Sequence, residues 1–244
     1  MASPLAISSL FPLAIAQVHL PVDPLDTAVL MQEILRLRDQ ARSNPDPGCA
    51  WTGDLQGVWQ FHRNPACLPL RQQVAAQARA YLQAVGFDLS QVALHLQRCW
   101  PVVSDPGQVV GRHHHPNAHL SAVYYLNGDG SGRIGRLRLF PRQACNELVP
   151  GLAVGHGGPI DPTHPLNSPW WDLAPKAGLL VLFPAATDHA VLANETDDSR
   201  FSISFDLVLS APRQGSSQEA PPEYLSPHPS SWDPLESSVE DAEA

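Results

Sequence analysis

The sequence has little lysine, no run of basic residues and no paired-cysteine motif. Its 244 residues include fourteen arginines but a single lysine, Lys176, and acidic residues outnumber basic ones 24 to 15. Nucleic acids and anionic membranes bind clustered positive charge, so this balance argues against both partners. The four cysteines are widely separated and form no CxxC pair, which argues against a zinc ribbon or a disulfide framework. We interpret them as reduced thiols in a cytoplasmic protein.

Long hydrophobic runs are also missing. No stretch of 18 apolar residues occurs, so we expect no membrane-spanning helix. The apolar N-terminal region has no preceding positive charge and is interrupted by Pro12, so we expect no export signal. A chain of this length buries enough surface to fold without disulfides or a structural metal. Any metal is therefore expected to serve chemistry.

Composition divides the chain into a globular part, residues 1–210, and a tail, residues 211–244. The tail is rich in proline, serine and acidic residues and has no apolar periodicity. It carries one arginine against seven acidic residues, which accounts for two thirds of the net charge of −9. We expect the tail to be flexible and the globular part to be close to neutral.

The apolar pattern predicts two helices followed by short strands. Helical spacing indicates helices over residues 26–42 and 68–85. Beyond them, β-prone runs separated by glycine, proline and asparagine predict strands at 93–103, 120–126, 135–140, 178–183, 190–193 and 201–209. This order is typical of a mainly β (α+β) sandwich or jelly roll with N-terminal supporting helices.

Histidines cluster in the segment GRHHHPNAHLSAVYYL at residues 111–126, which holds four of the eleven in the chain. Successive side chains of an extended chain point to opposite faces, so His113 and His115 share a side and His114 faces away. Such an HxH pair at the mouth of a strand can chelate one metal ion. A solvated polar turn is the alternative for this cluster.

A distant histidine and an arginine add to this pattern. His189 follows the apolar strand GLLVLF, and Arg200 opens the alternating strand RFSISF with Ser202 on its own face. A bound α-keto acid needs a metal for its keto and adjacent carboxylate oxygens and a guanidinium for its distant carboxylate. These residues suit that ligand, although a structural histidine and a surface ion pair remain the alternatives for His189 and Arg200 taken singly.

Three segments carry a family resemblance: HHHPNAHLSAVYYL, GLLVLFPAATDHAV and RFSISF. They resemble a bacterial and phage group of 2-oxoglutarate- and Fe(II)-dependent oxygenases with an HxHPx(S/A)xxSxVYYL block and a later GxLxLFPxxxxH…RxSxSF block. The likeness covers about residues 9–209. It implies a double-stranded β-helix (jelly roll, cupin-like) with Fe(II) at its open end and with 2-oxoglutarate and O₂ as co-substrates. The implied reaction releases succinate and CO₂ and hydroxylates a small molecule or a peptide side chain.

The resemblance also implies roles for individual residues. The iron ligands are His113, His115 and His189, and the clamp for 2-oxoglutarate is Arg200 with Ser202. Tyr124 or Tyr125, together with Ser121, would complete the co-substrate pocket.

One departure concerns the metal ligands. The wider superfamily binds iron with two histidines and one carboxylate. Here His115 and Asn117 occupy the positions where that carboxylate is expected, and neither supplies one. The choice among His113, His114, His115 and Asn117 therefore stays open.

Candidate substrate contacts lie in the stretch 146–176, which is long, rich in proline and glycine and without a convincing strand. Its Trp170 and Trp171 are candidates because loops of this length often form lids or binding segments. Arg142 and Asn117 are weaker candidates, and Arg142 follows LFP where the family pattern has an acidic residue before Pro-Arg. The partner expected is a small molecule or peptide, and the sequence is compatible with a homodimer.

Two other functions fit parts of the pattern. A cupin-like three-histidine iron or copper dioxygenase that uses no keto acid would need the same histidines. A non-catalytic metal- or ligand-binding barrel would use them for sensing. Arg200 and Ser202 distinguish these alternatives, because only the 2-oxoglutarate enzyme requires a carboxylate clamp.

Overall fold

A computed structural model describes residues 13–42, 44, 46–141, 161, 164, 166–213 and 224–233. Within these residues the chain forms two α-helices, α1 (Pro24–Gln40) and α2 (Leu68–Ala84). Its strands are β1 (Ala16–His19), β2 (Trp51–Thr52), β3 (Ala93–Ser104), β4 (Val110–His113), β5 (Leu120–Tyr125), β6 (Leu137–Leu139), β7 (Trp171–Leu173), β8 (Leu179–Pro184), β9 (His189–Val191) and β10 (Arg200–Ser210). Short 3₁₀ turns connect β2 to α2.

The strands form two antiparallel sheets. One has the order β1-β8-β5-β10-β3-β2 and the other β4-β9-β6-β7. From β3 onward the chain passes repeatedly between the sheets, because β4, β6, β7 and β9 lie in the small sheet and β5, β8 and β10 in the large one. This connectivity is that of a double-stranded β-helix, so the expected jelly-roll fold with N-terminal helices is confirmed.

The helices cover the outer face of the large sheet. Asp23 caps α1 by accepting the Leu25 N–H at 2.8 Å, and Pro24 occupies the first turn, where its missing N–H costs nothing. Leu30 and Ile34 of α1 are buried in one core together with the outward-facing residues of β5, β8 and β10. Neither of the two helices in the described residues is long and apolar enough to cross a membrane.

A second core lies between the two sheets. It consists of the inward-facing apolar residues Val123, Tyr125, Leu137, Leu139, Leu173, Leu179, Val181 and Phe183. Alternation along β10 separates the two environments. Phe201, Ile203 and Phe205 pack on the helix side. The inward face of β10 is polar and carries the residues of the candidate site.

Four strands were not predicted from the sequence: β1, β2, β4 and β7. The expectation of no strand in the stretch 146–176 is wrong for Trp171–Leu173, which pairs with β6 through Leu139 opposite Trp171 and Leu137 opposite Leu173. Three residues are too few to show alternation, so only the pairing with β6 defines this strand.

Part of the acidic tail contacts the barrel. Leu225 packs against the helix-side core, and the ring centroid of His228 lies 5.0 Å from that of His95 on β3. Much of the remaining tail lies outside the described residues, so its flexibility stays a prediction.

Burial on α1 gives a matched test of the helix–sheet core. Ile34 is fully buried, whereas Val29 on the same helix is 52% exposed. We expect Ile34→Ala to lower the free energy of unfolding by about 2–4 kcal/mol, because it leaves a cavity, and Val29→Ala to change it by under about 0.5 kcal/mol. Urea unfolding measures both, and equal losses would contradict the packing described.

Candidate active site

Three of the predicted histidines converge at one end of the barrel. His113 ends β4 and pairs in register with His189, the first residue of β9, while His115 follows β4. The ring centroids are 4.2 Å apart for His113 and His189, 5.0 Å for His115 and His189, and 5.2 Å for His113 and His115. One nitrogen of each ring lies within 4.8 Å of the others, which is close enough for one metal ion to be shared.

A β-bulge in β4 orients His113. Val110 pairs with Val191 and His113 with His189, so β4 uses one more residue than β9 over this interval. Val110 and His113 are three residues apart, so strict alternation would place them on opposite faces. The bulge lets both face inward, and bulges next to active sites commonly redirect a side chain in this way.

Each of the three histidines hydrogen-bonds an oxygen of the chain through Nδ1. The His113 Nδ1 lies 2.7 Å from the Gly111 carbonyl, and the His189 Nδ1 lies 2.9 Å from the Thr187 carbonyl. The His115 Nδ1 lies 2.6 Å from Oδ1 of Asp206. Carbonyl and carboxylate oxygens only accept, so Nδ1 carries the proton and Nε2 keeps its lone pair for a metal.

Burial keeps two of these rings neutral. It lowers the pKa of His189 to about 3, and repulsion from His113 adds to the effect. Burial likewise lowers the pKa of His113. At neutral pH both rings are therefore in the form that binds metals. Imidazole ligands suit a first-row ion such as Fe(II).

The two other candidate ligands lie outside this cluster. His114 faces the opposite way, with Nδ1 3.1 Å from a carboxylate oxygen of Asp188. Asn117 is exposed in the turn after His115. The structure thus brings together His113, His115 and His189, as alternation along the HHH segment predicts.

Asp206 on β10 is a site residue to which sequence analysis gave no role. It is fully buried, and its Oδ1 accepts from His115 and from the Ser121 hydroxyl, the latter at 3.3 Å. Its Oδ2 accepts from Nη2 of Arg98 at 2.6 Å. Burial alone would raise the pKa of Asp206, but the bonds and charges of His115 and Arg98 outweigh it and hold that pKa below its usual range. Alternation along the strand could have identified Asp206 from the sequence, because it places Asp206 on the same face as Arg200.

Ser121 was expected in the co-substrate pocket, but its observed contacts are with the metal-ligand candidates. Its hydroxyl lies 2.9 Å from Nδ1 of His115 and also donates to Asp206. Ser121 pairs with Asp206 across β5 and β10, so the two side chains share the inward face.

Arg200 begins the inward face of β10, and its buried guanidinium forms a cationic pocket, here called the socket. The side chain is 1% exposed; Nη2 donates to the Ser104 hydroxyl at 3.0 Å and Nη1 to the Gly135 carbonyl at 3.4 Å. Within the described chain, Nε has no hydrogen-bond partner and no carboxylate contacts the guanidinium. A buried charge without a counter-charge is costly, so the socket fits an incoming anion.

Tyr125 belongs to the same socket. Its hydroxyl is buried and, among the residues described, has no hydrogen-bond partner. Burial raises its pKa to about 12, which the nearby Arg200 opposes, so the phenol stays protonated and can donate. The unsatisfied Tyr125 hydroxyl and Arg200 Nε are the groups that a carboxylate would satisfy.

Gly135 gives the socket its room. Its φ is +99°, and a Cβ there would lie 2.8 Å from the Leu192 carbonyl, 3.5 Å from Nη1 of Arg200 and 3.6 Å from Val191 Cγ1. Val191 is two residues from His189 on β9, which is roughly 7 Å along a strand. Strand β9 thus connects the histidine cluster to the surroundings of Arg200.

The remaining predicted co-substrate residues divide between the two faces of the large sheet. Ser202 is buried on the inward face of β10 and pairs with Tyr125. Tyr124 points the other way and packs in the helix-side core, so the structure does not bring it to the site.

The two candidate tryptophans also face opposite ways. Trp170 packs on Arg138 on the outer face of the small sheet, with Cζ of the guanidinium 4.0 Å from the centroid of the Trp170 ring. Trp171 pairs with Leu139, which pairs with His189, so these three side chains form one inward-facing row. Trp171 is 58% exposed at the edge of this row. Arg142 lies outside the described residues.

The part of the chain that holds this site is similar to a known protein family. A family model described as "Putative 2OG-Fe(II) oxygenase" matches residues 98–206. That range includes every residue of the histidine cluster and of the Arg200 socket. No curated protein sequence matches the chain significantly.

Several solved structures share the fold. A prolyl-4-hydroxylase from Pseudomonas putida is 19% identical with a TM-score of 0.52, over 80% of this chain and 92% of its own. The non-heme alpha ketoglutarate dependent epimerase SnoN from nogalamycin biosynthesis is 18% identical with a TM-score of 0.55, over 88% and 91%. A prolyl hydroxylase from Trichoplax adhaerens, in complex with a hypoxia inducible factor peptide, is 13% identical with a TM-score of 0.52, over 80% and 83%. At these identities the likeness establishes a common fold.

The depressed pKa of His189 predicts a pH dependence of stability in the metal-free protein. Between pH 6.5 and about 3 the unfolded chain binds a proton that the folded chain does not, so the free energy of unfolding falls as the pH falls. From pH 7 to pH 5 we expect a loss of about 2 kcal/mol from this residue. Urea unfolding of the EDTA-treated unmodified protein and of EDTA-treated His189→Gln, at both pH values, isolates the contribution of His189. An identical pH dependence of the two proteins would contradict the buried neutral ring.

Proposed function

We propose that the protein is a 2-oxoglutarate- and Fe(II)-dependent dioxygenase that hydroxylates a small molecule or a peptide side chain. The observation that carries this proposal is the pairing, inside one barrel, of three convergent imidazoles with a buried arginine that has no counter-charge among the described residues. The family match over residues 98–206 and the double-stranded β-helix point to the same activity.

His113, His115 and His189 would hold the iron through Nε2. When bound, Fe(II) and 2-oxoglutarate supply O₂ activation coupled to decarboxylation of the keto acid to succinate and CO₂. The chain contributes orientation: hydrogen bonds to Gly111, Thr187 and Asp206 fix the three rings. Burial lowers the pKa of His113 and of His189, so these two rings are neutral at pH 7 and keep a lone pair for the metal.

Arg200 would bind the distal carboxylate of 2-oxoglutarate. A guanidinium in a water-excluded pocket binds a carboxylate more strongly than it would at a surface, because the low local dielectric strengthens the attraction. The Tyr125 hydroxyl adds a neutral donor, and the apolar residues between the sheets exclude water from the pocket. Ser202, buried on the face shared by Arg200, is placed to line the co-substrate.

A three-histidine dioxygenase that uses no keto acid is the second candidate. The absence of a carboxylate in the described cluster His113, His115 and His189 favours it. That enzyme would have no use for a buried Arg200 that no carboxylate of the described chain contacts, which is why the 2-oxoglutarate enzyme is preferred. A non-catalytic metal- or ligand-binding barrel would bind a metal and an anion without turnover, so succinate release distinguishes it from the enzyme.

The substrate is proposed to enter at the edge formed by His113, His189, Leu139 and Trp171. These residues lie side by side across the small sheet, and Trp171 is the exposed end of the row. An indole face suits an apolar or planar group of a small molecule or peptide. Membership of the bacterial and phage oxygenase group that carries the two sequence blocks is also part of this proposal.

Replacing Arg200 tests the co-substrate. Arg200→Met keeps the bulk but removes the charge, so we expect 2-oxoglutarate to bind at least about 100-fold more weakly, as when a buried charge pair is broken. Calorimetric titration of the Fe(II)-loaded protein under anaerobic conditions measures this. The matched control is Arg138→Met, which removes an arginine that pairs with Asp172 on the outer face, and it should bind 2-oxoglutarate normally.

Succinate release measures turnover in the same variants, with the unmodified protein incubated against pools of metabolites and peptides. Arg200→Met and His189→Ala should release no succinate above background, and Arg138→Met should match the unmodified protein. If Arg200→Met keeps metal-dependent O₂ consumption while 2-oxoglutarate has no effect on any of the proteins, the keto-acid-independent dioxygenase is correct instead.

A further inference from the structure

We propose that Asp206 is a positioning residue for the metal, supplying through His115 the negative charge that a three-histidine site lacks. The inference rests on the proposed function insofar as it assumes a metal at the histidine cluster. It concerns a side chain that contacts no metal and that sequence analysis left without a role.

Asp206 holds the His115 ring by a short, buried contact. Its Oδ1 lies 2.6 Å from Nδ1 of His115, and neither side chain is more than 9% exposed. A carboxylate accepts the Nδ1 proton and thereby directs Nε2 toward the other two histidines. Loss of this contact would free both the tautomer and the orientation of the ring.

Neighbouring strands fix the carboxylate itself. Asp206 lies opposite Arg98 on β3 and opposite Ser121 on β5, beside a register shift between Asp206 and Leu207. Ser121 and His115 occupy one oxygen, and Nη2 of Arg98 occupies the other at 2.6 Å. With both oxygens held, the carboxylate cannot rotate away from the ring.

The partner of His115 differs in kind from those of the other two histidines. His113 and His189 donate to the backbone carbonyls of Gly111 and Thr187, which are neutral. A carboxylate stabilises the positive charge that a metal draws onto the imidazole, so it makes the ring a stronger ligand than a carbonyl does. In a two-histidine, one-carboxylate site the anion touches the metal. Here the anion lies one ring further out, and its charge is shared between His115 and Arg98.

A plain buried ion pair with Arg98 is the competing explanation of Asp206. It predicts that breaking the pair from either side has the same consequence. The positioning role predicts a difference, because removing Arg98 leaves the carboxylate on His115, whereas changing Asp206 takes it away.

Co(II) is the probe, because its absorption bands report ligand geometry without any turnover. We expect Asp206→Asn to weaken Co(II) binding by about 10- to 100-fold and to change the visible Co(II) spectrum. Arg98→Gln should keep both the affinity, within about threefold, and the spectrum. Asp172→Asn is the matched control, since Asp172 also pairs with a strand arginine, Arg138, but on the outer face away from the histidines.

The double variant Arg98→Gln/Asp206→Asn guards against misfolding, because it leaves no unpaired buried charge. It should show the affinity loss of Asp206→Asn. The inference is overturned if Asp206→Asn, or the double variant, binds Co(II) with the same affinity and spectrum as the unmodified protein. That result would leave the proposed metal site intact. Failure of the unmodified protein to bind Co(II) through His189, judged against His189→Ala, would overturn the proposed function as well.

Discussion

Side-chain alternation along β10 is the constraint on which the site depends. The strand lies between β3 and β5 at the centre of the large sheet, and its apolar residues fill the core beneath the helices. Alternation then forces Arg200, Ser202 and Asp206 into the space between the sheets. A slip of one residue would exchange the two faces, burying Arg200 among apolar side chains. Burial of the helix-side core therefore fixes the register that positions the site.

Two buried charges at opposite ends of this strand face have different surroundings. Asp206 is satisfied on both oxygens by Arg98, Ser121 and His115. Arg200 has only neutral partners in the described part of the chain, and its Nε has none. The first arrangement holds the His115 ring in place, and the second fits an incoming anion. The histidines lie at the Asp206 end, so a keto acid that reaches from them to Arg200 would satisfy both halves of the pocket.

The sequence predicted the parts of the site that follow from local periodicity. Alternation in HHH separated His114 from His113 and His115, and alternation in RFSISF placed Ser202 with Arg200. Tyr124 and Tyr125 could not be separated in this way, because every residue of β5 is buried and its pattern shows no polar face. The bulge in β4 and the contact between His115 and Asp206 depend on registers between distant strands, which no local pattern contains. The short strand β7 was missed for the same reason.

The central claim is that one barrel binds Fe(II) and 2-oxoglutarate together, and the anaerobic visible spectrum tests it most directly. Addition of Fe(II) alone, and then of 2-oxoglutarate, should produce a weak charge-transfer band that requires both components and is missing in Arg200→Met. Tight binding of Fe(II) by the unmodified protein with a spectrum that 2-oxoglutarate leaves unchanged would contradict the account.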